Sequence, residues 1–141
     1  MDKERWLEAR KRDILPTHYF HPIFTLPEGL RPLCQRNQEV GYSILFKAGS
    51  ESIQELTEDT KYLGAEVGFI LILHTWSQIL MDHPHLHCIV TGGGLSLDGN
   101  QWVPCKTEFF LPVRVLSRLF RGKFLAYLKE AYVGGGTLVR K

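Results

Sequence analysis

The hydrophobic period of this chain changes from helical to strand-like and back, and that succession limits its fold more than any other feature. Leu30, Leu33, Cys34, Gly41, Ile44, Leu45 and Ala48 recur at helical spacing, and Ile53 and Leu56 extend the pattern past a break expected near Gly49. One long helical stretch or two consecutive helices are predicted. Just upstream, Thr25-Leu-Pro-Glu28 fits a capping box, with Thr25 as N-cap, Pro27 in the first turn and Glu28 reaching back. From Val67 the period shifts. Gly68 to His74 is a β-rich run whose composition predicts burial on both faces. His85 to Val90 is a second such run, which suits a neighbouring antiparallel strand ended by Gly92-Gly-Gly94. Leu95 to Val103 resembles a small hairpin turning at Asp98-Gly99. Val113, Leu116, Phe120, Phe124, Tyr127, Leu128 and Ala131 then form an apolar helical stripe, stopped by Gly134-Gly-Gly136. Residues 18–24 read as a strand, residues 2–15 as a short helix or arm, and Thr137-Leu-Val139 as the first residues of another strand. The order β, α, β, β, hairpin, α is that of an α+β fold, helices packed over an antiparallel sheet.

A length of 141 residues allows one such core. With 44% apolar and 23% charged residues the composition is that of a globular chain and excludes disorder. No run approaches the roughly 20 apolar residues of a membrane span, and the charged start excludes a secretory signal, so a cytoplasmic, reducing setting is expected. Cys34, Cys88 and Cys105 are odd in number and widely spaced, so they are read as small packing hydrophobes. The net charge of +2 conceals an asymmetry. Between Arg114 and Lys141 seven basic residues face one acid, Glu130, whereas residues 50–66 carry five acids against Lys61. That distribution permits an anionic partner at the C-terminal end. On a helical projection Arg114, Arg118, Arg121 and Lys129 fall within about 80° of arc. They form either a track for a single-stranded DNA backbone or a solvated face. Trp76 and Trp102 are read as core residues, with base stacking as the alternative.

Four of the six histidines lie between residues 74 and 87, and three alternate in His83-Pro-His85-Leu-His87. On a strand, residues i and i+2 share a face about 6.8 Å apart. His85 and His87 can therefore aim at one ion, while Leu86, Cys88 and Val90 pack on the opposite face. Pro84 should begin the strand, because it cannot donate to a ladder. A third ligand would come from His74, Gln78 or His83, and such a set suits Mn²⁺, Zn²⁺ or a tolerant Mg²⁺ site. Histidines without a metal are the plain alternative. Ile89, Val90 and Thr91 stand where a cupin would carry its glutamate, and Ile89 occupies the place of a metallo-β-lactamase's aspartate. An amidohydrolase barrel needs about 250 residues. A histidine–hydrophobic–histidine nuclease pattern remains.

The run His74-Thr-Trp, then His83 to Val90, then Gly92-Gly-Gly-Leu-Ser96, resembles the two-tyrosine rolling-circle transposases of the IS-ninety-one type. His21-Pro-Ile-Phe-Thr-Leu-Pro27, Leu63-Gly64 and Leu111 to Arg121 extend the likeness over almost the whole chain. The resemblance implies cleavage of single-stranded DNA at transposon ends, with His85 and His87 holding a divalent Mg or Mn ion at the scissile phosphate. A tyrosine hydroxyl would attack, leaving a 5′-phosphotyrosine and a free 3′-OH. It also implies two nucleophilic tyrosines four positions apart on one helix. Tyr127 and Tyr132 are five apart, which turns the second about 140° from the first, so both are read as core or helix-edge residues. The chain is thus expected to be an internal fragment. Residues 1–16 would be the remnant of a join to a zinc-binding module, and 17–141 a partial catalytic domain whose tyrosine helix lies beyond Lys141. A DNA-binding-only module and an inactive, decayed transposase fragment are the alternatives.

Overall fold

The computed structural model describes Arg5 and residues 18–74, 84–105 and 112–133. Strands β1 (Tyr19–Phe20), β2 (Ile23–Thr25), β3 (Ala65–His74), β4 (His85–Ser96) and β5 (Trp102–Pro104) form one sheet. Helices α1 (Arg31–Arg36) and α2 (Gln38–Glu58) lie between β2 and β3, and α3 (Val113–Val133) follows β5. The α+β reading of an antiparallel sheet with helices packed over it is what the structure shows. The arm at residues 2–15 and the strand start at Thr137 lie outside the described residues.

β4 is the central strand, paired antiparallel with β3 from Ala65–Ser96 to His74–His85. Its other edge is shared end to end by β2, β1 and β5, opposite residues 85–87, 90–91 and 93–95. β1 and β2 keep one register, since Phe20 faces Val90 and Ile23 faces His87. They are a single line interrupted at Pro22, which has no N–H to donate, while its carbonyl accepts from the Cys88 N–H at 3.0 Å.

Several local expectations are corrected. Thr25 belongs to β2 and does not cap a helix. A 3₁₀ turn, Glu28–Leu30, follows Pro27 without a side-chain cap. The helical break falls at Asn37 rather than Gly49. There the backbone leaves the helical region and the Asn37 side chain donates to the Leu33 carbonyl at 2.9 Å. α2 runs unbroken through Gly49 because that position abuts the sheet, where an added Cβ would meet Leu86 Cδ2 at 2.7 Å.

Gly92-Gly-Gly94 does not end β4 but continues it. Three β4 residues, 91–93, stand opposite Gly68 alone, a bulge between the Val67–Gly94 and Phe69–Val90 pairs. Thr91 Oγ1 closes it, accepting from the Gly68 N–H at 3.0 Å and donating to the Gly93 carbonyl at 2.7 Å. Neighbouring strands crowd the glycines. A Cβ at Gly92 would stand 2.7 Å from the His18 carbonyl, and one at Gly94 would overlap the Glu66 carbonyl. Because the Glu66 carbonyl and the Val67 nitrogen crowding Gly94 are both backbone, Gly94→Ala should destabilise the chain by about 3 kcal/mol, read as a lower urea midpoint at unchanged slope. The predicted Asp98-Gly99 turn is present, with Gly99 at φ +77°.

One face of the sheet is covered. Phe24, Leu86, Cys88 and Val90 are buried there against α2 and α3, and the Phe24 and Phe120 rings stack with centroids 4.5 Å apart. Phe124 and Leu128 extend this core along α3, while Ile53 and Leu56 extend it along α2. Thr57 and Ser52, both buried, satisfy their hydroxyls on the Ile53 and Ala48 carbonyls, at 2.8 and 2.6 Å. The opposite face carries no helix among the described residues. β3 is therefore buried on one face, not two: Ala65 and Val67 point inward, whereas Ile70 is 60% exposed and Ile72 48%.

Candidate metal centre

Strand alternation and register determine which side chains share the open face. His85 and His87 lie there because Leu86 and Cys88 are turned into the core. His74 is the direct partner of His85, Ile72 that of His87 and Ile70 that of Ile89. On the other edge Thr25 faces His85 and Ile23 faces His87. Continuing that register through Pro22 places His21 opposite Ile89, one row from His87. Tyr19, the partner of Thr91, falls one row further along.

Three imidazoles consequently form a triangle. The ring centroids are 5.0 Å apart for His85–His87, 5.3 Å for His74–His87 and 5.4 Å for His74–His85. For a cation with metal–nitrogen bonds of about 2.1 Å, imidazole centroids sit about 3.2 Å from the ion. At ligand angles of about 100–110° they are then about 5 Å from one another. The spacing between rings thus fits one shared ion. Among the described residues no group of three or more His, Cys, Asp or Glu, this triangle included, is placed to hold a metal ion as it stands. His74 and His85 are stacked at 16°, so their rings must turn about χ2 to bring nitrogens together.

Of the three candidates for a third ligand, the structure brings His74 to the pair, while Gln78 and His83 lie outside the described residues, as does Trp76. From sequence, His21 falls in the upstream motif but not among the candidate ligands. Its signal was the parity of His21, Ile23 and Thr25 on the strand beside the histidine run.

The remaining candidates lie elsewhere. Arg114, Arg118, Arg121 and Lys129 are all exposed, on the helical layer, with the sheet between them and the histidine triangle. Tyr127 is also on the helical side. Its hydroxyl donates to Glu51 of α2, Lys47 Nζ lies 4.3 Å over its ring, and neighbouring Lys123 pairs with Glu55 at 2.7 Å. The Glu51 carboxylate keeps the Tyr127 phenol protonated, raising its pKa. Tyr127 thus joins two helices. Cys34 and Cys88 are buried, and burial pushes the Cys88 thiol up to about 12. Such a thiol stays neutral and packs as a hydrophobe. Trp102 is 41% exposed, which corrects the core-packing reading for that residue.

A central strand bearing a histidine pair, a third histidine across the ladder and, among the described residues, helices on the opposite face only make up an α+β domain. The sequence pattern of the family described as "Putative transposase" matches residues 68–138, and the chain belongs to that family. It is 52% identical over 133 residues to "Putative transposase y4qJ" of Sinorhizobium fredii (strain NBRC 101917 / NGR234), covering 94% of this chain and 33% of that protein. It is 32% identical over 96 residues to the transposase for insertion sequence element IS801 of Pseudomonas savastanoi pv. phaseolicola, covering 68% of this chain and 22% of that one. The chain therefore spans no more than a third of either relative. A solved structure, conjugative relaxase TrwC in complex with oriT DNA in a metal-bound form, matches in fold with a TM-score of 0.54 at 15% identity. The match covers 92% of this chain and 55% of the relaxase. The copper-bound TrwC–DNA structure matches with the same TM-score. No helix among the described residues is long and apolar enough to cross a membrane.

Proposed function

We propose that this chain is the metal-binding part of a DNA transposase, and that His74, His85 and His87 hold a divalent cation, Mg²⁺ or Mn²⁺, against a phosphate of single-stranded DNA. The observation that carries the reading is the 5.0–5.4 Å triangle of imidazoles on the uncovered sheet face of a transposase-family chain. Such an ion supplies Lewis acidity to a phosphoryl oxygen and stabilises the charge that develops there. The chain contributes the platform. β4 fixes the i, i+2 spacing of His85 and His87, the ladder holds His74 opposite His85, and Ile23 and Ile72 flank His87 on either side.

In the transesterification a tyrosine oxygen bonds to phosphorus, the bond to the 3′ oxygen breaks, and that oxygen leaves as a hydroxyl after gaining a proton. Tyr127 is not that nucleophile, because it is bound to Glu51 across the sheet from the histidines. The reactive tyrosine belongs to the longer transposase of which relatives show about three times this length. Cleavage and rejoining are therefore properties of the whole protein, and this chain alone should bind without nicking.

The test is fluorescence anisotropy of a labelled single-stranded oligonucleotide with Mn²⁺ and again after chelation. Chelation should weaken binding at least about tenfold. Binding that ignores chelation yet falls steeply with salt would instead assign the affinity to phosphate contacts by the exposed Arg114, Arg118, Arg121 and Lys129 stripe, the DNA-binding-only alternative.

A further inference from the structure

The open face does not stop at the histidines. From His87 it runs past Ile70, Ile89 and Thr91 to Leu95 and its partner Trp102 at the far end of β4. We propose that Trp102 is a base-stacking platform for the single DNA strand whose phosphate the histidine triangle engages. This rests on the metal-centre reading above and adds the residue that positions the strand away from the ion.

Three features of the structure support it. First, the indole is both bare and seated. Trp102 is 41% exposed, and its Nε1 and Cε2 lie 2.9 and 3.0 Å from where a Gly93 Cβ would be. Only glycine at position 93 leaves the indole this room against β4. Second, the path between the two ends is apolar and almost uncharged. Ile23, Ile70, Ile72 and Leu95 are 48–60% exposed, and Glu66 is the only Asp, Glu, Lys or Arg among the strand residues of this face. Such a surface suits bases rather than phosphates, and base faces are free only in a single strand. Third, the surface is continuous with the histidines, because all these side chains share one parity of the same ladder. Measured along the unbulged β3, the partners of His87 and Gly94, Ile72 and Val67, are five residues apart, about 17 Å. That distance spans about five nucleotides stacked at 3.4 Å each, and fewer if the strand is extended.

The test uses the full chain with Trp6→Phe and Trp76→Phe, so that Trp102 is the sole tryptophan, titrated with oligothymidylate of about 20 nucleotides in Mn²⁺. Its emission should be quenched as the oligonucleotide binds. Trp102→Ala and Trp102→Leu in the otherwise native chain should each weaken binding at least about fivefold, whereas Trp102→Phe should retain most of it. Chelation-sensitive binding with unquenched emission and an unchanged Trp102→Ala affinity would overturn the platform and leave the metal centre standing. Quenched, Trp102-dependent binding that ignores chelation would support the platform and overturn the metal reading. Absence of oligonucleotide binding under both conditions would overturn both, and capture of a protein partner by the native chain but not by Trp102→Ala would assign this face to protein instead.

Discussion

Replacing Phe124 with alanine is expected to cost about 3–5 kcal/mol and to lower the midpoint of thermal unfolding by on the order of 10–20 °C. Phe124 is fully buried, and its ring lies 5.9 Å from Phe120, which itself stacks on Phe24 of the edge strand. The ring fills the junction of α3, α2 and the covered sheet face. Its removal leaves a cavity that neither a helix nor a ladder can close without breaking other contacts. Leu125→Ala, at the next position on α3 but 41% exposed, should cost less than about 1 kcal/mol. Calorimetry of the two variants separates burial from helix propensity, because both replacements install the same residue in the same helix. Equal losses would mean that α3 does not pack as described.

His85→Ala/His87→Ala should reduce Mn²⁺ affinity by at least about 100-fold in a calorimetric titration, since it removes two of three ligands while leaving the core face untouched. Leu86, Cys88 and Val90 stay buried in this variant, so its thermal stability without metal should remain close to that of the native chain. A loss of binding accompanied by an intact transition is therefore a statement about ligands. Equal Mn²⁺ affinity in both chains would remove the metal centre from the account. His21→Ala, a histidine on the same face but outside the triangle, should bind Mn²⁺ almost as the native chain does.

The sheet and the paired histidines were legible because strand parity is a local rule. His85, His87, Leu86 and Cys88 sort themselves onto two faces from the sequence alone, and the structure keeps that sorting. What lay beyond reach was non-local. No spacing rule places His74 directly beside the pair. That placement depends on the register between β3 and β4, which joins residues eleven apart in sequence through the His74–His85 pairing. The glycines misled for the same reason. Gly49 and Gly92–Gly94 look like breaks to any local reading, yet they are points of close approach whose partners, Leu86, His18 and Glu66, are distant in sequence. The β3 run was read as doubly buried because Ile70 and Ile72 are as apolar as Phe69 and Leu71. Hydropathy reports that a side chain prefers cover, not whether this chain provides it. That mismatch marks the face on which the histidines sit.

The central claim is that three specific imidazoles share one ion, and electron spin-echo envelope modulation of bound Mn²⁺ reads their nitrogens directly. Imidazole nitrogen modulation should diminish in each of His74→Ala, His85→Ala and His87→Ala and persist in His21→Ala. Mn²⁺ showing only water coordination, or nitrogen modulation indifferent to all three replacements, would contradict it.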